Sequence, residues 1–201
     1  FNVSEEQVVW ARQRARAEGL DRNVEFVVAD YREIDDRADA FVSVGMLEHV
    51  GPHHYREFGA VTARVIRDHG RAFVHSIGRV RPTPTDRWID RRVFPDGYAP
   101  SVAEISRVFE PNDLVVLHME NLRSDYATTL AHWLRNFDAA AAGPLAGYDA
   151  AFLRTWRLYL ASSQAAFLTG WAQLYQFLVT SSRNTSFRGP ARVAGTERSE
   201  L

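Results

Sequence analysis

Cysteine is absent from the 201 residues, which excludes disulfides, thiolate-bound zinc and a thiol nucleophile, and makes a reducing cytoplasm the simplest setting. Lysine is missing too, so all 24 basic residues are arginine. A compositional bias explains this more simply than selection for guanidinium forks on phosphate, although such forks are what arginine supplies. The net charge is only −1, with 24 basic against 25 acidic residues. No overall field draws the chain to nucleic acid, and a partner of that kind is not expected; a local basic rim remains compatible. No apolar run reaches the roughly 18–20 residues of a membrane span, and no secretory signal precedes the first motif. No P-loop, Gly-x-Gly-x-x-Gly or Ser-His-Asp ordering appears either.

What is present is an ordinary globular composition, 46% hydrophobic and 24% charged, long enough for a sizeable core and short enough for one domain. The chain opens at Phe1, without a methionine, in what reads as the end of a strand. It is therefore expected to be a fragment lacking its natural N-terminus. Ser4-Glu5-Glu6-Gln7 reads as a capping box, Ser4 receiving amides and Gln7 reaching back. Val8, Ala11 and Ala15 recur at helical spacing until Gly19. Val24 to Ala29 reads as a strand ending at Asp30, and Ala40 to Met46 as a second, apolar enough for burial on both faces. A helix is predicted from Pro52, with Tyr55, Phe58, Thr62, Val65 and Ile66 on one stripe and Gly70 after its end, then a strand from Arg71 to Ile77. This alternation predicts an α/β fold with a parallel sheet.

Between Gly78 and Pro100 the rhythm breaks into a proline-rich stretch expected to be a lid or binding loop. Ser101 and Glu104 form a capping box for a helix to about Phe109, and Asp113 to Met119 reads as a strand. Helices are predicted over Tyr126 to Phe137 and Tyr148 to Leu168, with a last strand over Trp171 to Thr180. Residues 1–181 form the domain, and 182–201, rich in Ser, Arg, Gly and Thr, read as a flexible tail.

In parallel α/β sheets, ligands bind beyond the carboxyl ends of strands. Asp30 with Tyr31, Glu48 with His49, and His75 fall there. Asp30 and Tyr31 serve a nucleotide or a turn equally well. Glu48 follows an apolar run, where an unpaired carboxylate is expensive, and His75 on the neighbouring strand is its candidate partner. A purely structural Glu–His pair is the competing reading. Adjacent His53 and His54 point about 100° apart on a helix and make no chelating pair, so no metal site is expected.

These residues, in this order, resemble the cyclopropane-fatty-acyl-phospholipid synthase family of S-adenosylmethionine-dependent methyltransferases. The stretches that carry the likeness are Asn2 to Gln7, Asp30-Tyr31-Arg32, Val42 to Gly51 with Glu48-His49-Val50-Gly51, His75-Ser76-Ile77-Gly78, Phe94-Pro95-Asp96-Gly97 and Asp125 to Leu130. The resemblance implies an incomplete class I methyltransferase (Rossmann-like) sheet with helices on both faces, helical lid insertions and an antiparallel last strand. It implies S-adenosylmethionine and bicarbonate as cofactors. Asn2, Val3, Ser4 and Gln7 would border the first, with Asp30, Tyr31 and Arg32 at its adenine. Glu48, the His75 side chain, the Ile77 backbone and the Tyr126 hydroxyl would cradle the second. The implied reaction is methyl transfer to the cis double bond of an unsaturated phospholipid acyl chain, with the resulting carbocation deprotonated by bicarbonate as a cyclopropane closes. The aromatic-rich lid and the Tyr148 to Leu168 helix would line an acyl tunnel.

A methyl or methylene branch, small-molecule N-methylation and an inactive or merely binding copy are the alternatives. A cytoplasmic enzyme touching the inner membrane face, and a homodimer, are both compatible with the likeness. The glycine-rich cofactor turn and first two strands of the family are absent, so the 201 residues alone are expected to bind cofactor poorly. Ser162-Ser163 stands where many members have a cysteine, and Leu168 where a basic residue is common.

Overall fold

A computed structural model describes residues 1–185 except 142, 144 and 146. Four strands form one mixed sheet: β1 (Ala38–Val44), β2 (Ile66–Gly78), β3 (Leu114–Asn121) and β4 (Gln173–Ser181), in the order β1-β2-β4-β3. β1 and β2 are parallel, whereas β4 runs antiparallel to both of its neighbours. The antiparallel last strand is therefore wedged into the sheet rather than added at its edge.

Helices cover both faces. On one, α3 (Tyr55–Val65) and α5 (Val102–Phe109) bury Phe58, Val61, Ile105 and Val108 against Ala72 and Val74 of β2 and Tyr175, Phe177 and Val179 of β4. Each such large side chain contributes about 1.5–3 kcal/mol by leaving water. The two helices approach closely because Gly59 has no Cβ, which would otherwise strike the Val108 carbonyl. On the other face, α6 (Arg123–Ala141) and α7 (Ala150–Thr169) pair with each other, burying Leu130, Phe137, Leu160 and Phe167 over Leu174, with Ile77 packed alongside. Period-two alternation in β2 thus sends Ala72, Val74 and Ser76 to one layer and Phe73, His75 and Ile77 to the other.

Several elements differ from the sequence reading. Residues 24–29 form no strand: the segment makes one parallel bridge, Asn2 to Val28, with Asn2 N donating to Val27 O at 3.0 Å. A strand needs a ladder on at least one side, and among the described residues this segment has one bridge, to Asn2. Helix α1 (Glu5–Ala17) is capped by Ser4 Oγ, but the box is half-formed. The Gln7 side chain accepts from Asn2 Nδ2 at 2.8 Å, while the Ser4 amide is taken by Asn2 Oδ1. The helix from Pro52 begins as a 3-10 turn (Pro52–His54), and Ile66 already belongs to β2. Gly70 therefore lies inside that strand, where the Ala38/Ala40 register shift accommodates the extra residues.

The proline-rich stretch contains α4 (Arg87–Arg92), capped by Asp86, so a helical insertion is present. Both serine-based and aspartate-based caps at Ser101 and Asp149 form. Beyond β4, Ser182 N bonds Asp113 O and Asn184 is buried against Thr180; the remainder of the expected tail, from residue 186, lies outside the described residues.

Candidate functional site

Glu48 sits in α2 (Leu47–Val50), the short helix that follows β1. The parallel ladder between β1 and β2 reaches Gly45 N to His75 O at 3.0 Å, after which the chain turns away at Gly45 with φ +64. The next inward amide of β2, Ile77 N, would be orphaned there. Glu48 Oε1 accepts it at 2.6 Å, so the carboxylate continues the ladder where backbone runs out. Its second oxygen, Oε2, is buried with no hydrogen-bond partner among the described residues. Burial raises the carboxyl pKa above the ordinary glutamate value, opposed by the nearby amides, the Ser76 hydroxyl and His49. An unpartnered buried carboxylate oxygen is a costly feature, and it points to a ligand that carries a donor.

His75 does not pair with Glu48, as the sequence suggested it could. Its Nδ1 lies 3.0 Å from Gln176 Nε2 on β4, its cross-strand neighbour. An amide nitrogen only donates, so Nδ1 is the acceptor and the ring proton sits on Nε2. Burial pushes the imidazole pKa down, which keeps the ring neutral with one N–H free to donate elsewhere. Gln176 is thus a functional candidate that the sequence did not flag; only register across β4 reveals it.

Tyr126, in the first turns of α6, packs edge-on against Phe167 with ring centroids 4.9 Å apart. Its phenol pKa is raised by burial and by the nearby charges of Tyr159 and Glu48. Glu48, Ile77 and Tyr126 are therefore brought together, with His75 two residues before Ile77 on the same face of β2. Gly78 has no room for a side chain, since a Cβ would strike the Tyr175 ring and the Pro100 carbonyl.

The proline-rich stretch packs beside this group. Tyr98 N donates to Glu48 O at 2.8 Å, and Phe94 stands between His49 and Tyr159 with centroid separations of 5.9 and 5.6 Å. From Tyr159 an aromatic file continues along α7 through Trp156 and Phe152 to Tyr148. Residues at three- and four-residue spacing share one helix face, and here that face runs from exposed Tyr148 to half-buried Tyr159, which meets Phe94.

The second set of candidates is divided. Asn2 and Gln7 line an open cavity of 670 Å³ with Phe1, Trp10 and Phe26; Ser4 is engaged in capping α1 and Val3 is exposed. Tyr31 and Arg32 belong to a separate 3-10 turn (Tyr31–Glu33) that Asp30 caps. Asp30 accepts from Arg32 Nε and Nη2, both at 2.8 Å, and this guanidinium lowers its pKa to about 2. The Tyr31 ring packs edge-on against Phe58 at 5.5 Å. The turn reading of Asp30 is therefore realised: Oδ1 also accepts the Arg32 backbone amide and is filled, while Oδ2, with one hydrogen bond, keeps a free lone pair.

Over residues 1–177 the chain matches the mycolic acid cyclopropane synthetase family. The chain belongs to that family. A probable fatty acid methyltransferase of Pseudomonas putida is 40% identical over 186 residues, covering 89% of this chain and 47% of the relative. The cyclopropane-fatty-acyl-phospholipid synthase of Escherichia coli strain K12 is 38% identical over 175 residues, covering 87% of this chain and 44% of the relative. The chain thus spans under half the length of these family members. A crystal structure of a mycolic acid cyclopropane synthase complexed with SAH and CTAB superposes with a TM-score of 0.77 at 22% identity, covering 88% of this chain and 67% of that chain. That likeness establishes the fold as that of a class I methyltransferase.

The cofactors implied by the resemblance can be tested against the residues present. The buried, unpartnered Glu48 Oε2 fits an anion that also carries a proton, as bicarbonate does. The ionised Asp30 and the Asn2 and Gln7 amides fit the amine and hydroxyl donors of S-adenosylmethionine. They form two separate groups, and Val42 and Val44 at the sheet edge between β1 and solvent are uncovered, 64% and 62% exposed.

Proposed function

We propose that this chain carries the reaction centre of an S-adenosylmethionine-dependent enzyme that transfers a methyl group to the double bond of an unsaturated phospholipid acyl chain and closes it to a cyclopropane. The observation that carries this is the buried Glu48 carboxylate, with one oxygen on the Ile77 amide and the other without a partner. The family relatives are named for acyl-chain methylation and cyclopropanation, which supports the substrate class. Bound S-adenosylmethionine supplies an electrophilic methyl group, and bound bicarbonate supplies a base.

The chain's own residues do the rest. An alkene is a weak nucleophile, so holding it close and in line contributes several kcal/mol. In this reading the aromatic file from Tyr148 to Tyr159, with Phe94 of the lid, walls the acyl chain and excludes water. Glu48 Oε2 accepts the hydrogen of the anion and fixes its orientation. The Nε2–H of His75 and the Tyr126 hydroxyl donate to its remaining oxygens. The raised pKa of Tyr126 keeps that hydroxyl protonated. The Ile77 amide acts through Glu48, since its hydrogen is already committed there. Glu48, His75 and Tyr126 would hold that anion, whose negative charge would stabilise positive charge developing on an acyl carbon, more strongly in a dry site than in water. Asn2, Val3, Ser4 and Gln7 on one side, and Asp30, Tyr31 and Arg32 on the other, are the residues assigned to the cofactor.

The test is incubation of the protein, isolated from its source, with labelled S-adenosylmethionine and monounsaturated phospholipid, followed by mass spectrometry of the fatty acids. Gain of one methylene with loss of the alkene is expected. A branched chain that gains a methyl group without a ring, or label in a small amine, overturns the cyclopropane assignment.

A further inference from the structure

Beyond Ile77, β2 leads directly into a second cavity that the reaction centre does not use. It measures 430 Å³ and is lined by Arg79, Val80, Arg81, Thr83, Thr169 and Trp171 among others. The Arg79 guanidinium lies over the Trp171 ring at 5.0 Å, and its Nη1 is buried with no hydrogen-bond partner among the described residues. Arg81 is exposed and in no ion pair among those residues. A third guanidinium, that of Arg123, leans on Gly170 beside them. Two cations therefore line the cavity and a third lies beside it, and none of the three is in an ion pair with a carboxylate among the described residues. Asp86 is the acid whose charge is felt at Arg79. Burying a guanidinium edge without a partner is unfavourable unless an anion completes it.

The rim is apolar as well as basic: Val80, Leu168 and Trp171 are 72%, 65% and 54% exposed. Large exposed apolar groups beside arginines are the composition of a bilayer interface, where indole rings and guanidinium groups sit at headgroup depth. A soluble phosphate compound would call for the arginines but not for this rim.

We infer that Arg79, Arg81 and Arg123 bind the phosphodiester of a glycerophospholipid while Val80, Leu168 and Trp171 rest in the bilayer surface. The cavity lies at the same end of β2 as Glu48 and His75, so a lipid held here by its headgroup presents its acyl chain toward the aromatic file. This refinement rests on the acyl-lipid reading of the reaction centre, but its test needs no turnover.

The experiment is co-sedimentation with vesicles of phosphatidylcholine and phosphatidylglycerol in equal parts. The unmodified chain is expected to bind. Arg79→Ala/Arg81→Ala removes two charge-assisted contacts and should weaken binding about tenfold or more. Arg81→Glu, at an exposed position where folding is not at stake, should weaken it comparably. Arg16→Ala/Arg22→Ala, with the same change in net charge on the distant α1 side, should leave it unchanged. Glycerol 3-phosphate should compete. Equal loss in both double variants would mean attraction by net charge alone and overturn the site. So would absence of vesicle binding by the unmodified chain, or thermal stabilisation by free phosphate without any vesicle binding. Vesicle binding without methyl transfer would instead fail the catalytic reading and leave this one standing.

Discussion

Replacing Glu48 separates a chemical role from a structural one, because the two carboxylate oxygens do different work. Oε1 satisfies the Ile77 amide at 2.6 Å and Oε2 has no protein partner. In Glu48→Gln the amide oxygen can keep the Ile77 bond, so the end of the β-ladder survives. In Glu48→Leu that amide is orphaned, at a cost of about 1–3 kcal/mol, or roughly 2–10 °C in melting temperature for a chain of this size. The charge has the opposite sign of effect. Burial raises the Glu48 pKa, so ionising it opposes folding. Its stabilising contribution is whole below the range where an unfolded glutamate titrates and is lost as pH rises through the folded value. Glu48→Gln removes that dependence and should melt no lower than the parent near neutral pH.

Both variants lack the anionic acceptor. Loss of one such preorganised group costs about 10²–10³ in turnover, read as fatty-acid product by mass spectrometry with the substitution made in the protein as it occurs in its source. Calorimetric melts of the same samples supply the stability arm. The reasoning fails if Glu48→Gln retains turnover within a few-fold of the parent, for Glu48 would then be only the cap of the ladder. It also fails if Glu48→Gln melts well below the parent at neutral pH.

Three further outcomes follow from the geometry. Gln176→Leu withdraws the donor that fixes the His75 tautomer; turnover should fall roughly tenfold, and nitrogen NMR should show the ring proton shared between Nδ1 and Nε2, whereas an unchanged tautomer refutes the positioning role. Because Arg32 holds Asp30 down to about 2, the stability from this pair is present above the ordinary aspartate pKa and lost as pH falls from about 4 toward 2. Asp30→Asn should flatten that part of the acid melting curve, by no more than about 1 kcal/mol for a surface pair, and a curve identical to the parent's argues against it. Calorimetric titration of the 201-residue chain with S-adenosylmethionine should show no micromolar binding, since the Asn2 and Asp30 groups are joined by a single bridge; a micromolar isotherm contradicts this.

Local chemistry was legible in the sequence. Ser4 and Ser101 announce helix starts through capping, an interaction that spans only a few residues. The apolar alternation placed β1, β2, β3 and β4 to within a few residues, and Glu48 stood out because a carboxylate after an apolar run needs a reason to be there. The failures share one cause. Val24 to Ala29 has strand composition, but a strand exists only where a neighbour supplies hydrogen bonds, and residues 1–3 supply one bridge. The Glu48–His75 pairing was inferred from adjacency of strands, yet the imidazole turned to Gln176, 101 residues away. Sequence order carries no information about which cross-strand partner a side chain meets. That is decided by the register of β2 on β4, which also set Arg79 over Trp171 and left the second oxygen of Glu48 alone. Residue types and their spacing fixed the elements and the candidate acids and bases; the folded sheet alone chose who holds whom, because hydrogen bonds act over about 3 Å and only packing brings distant residues that close.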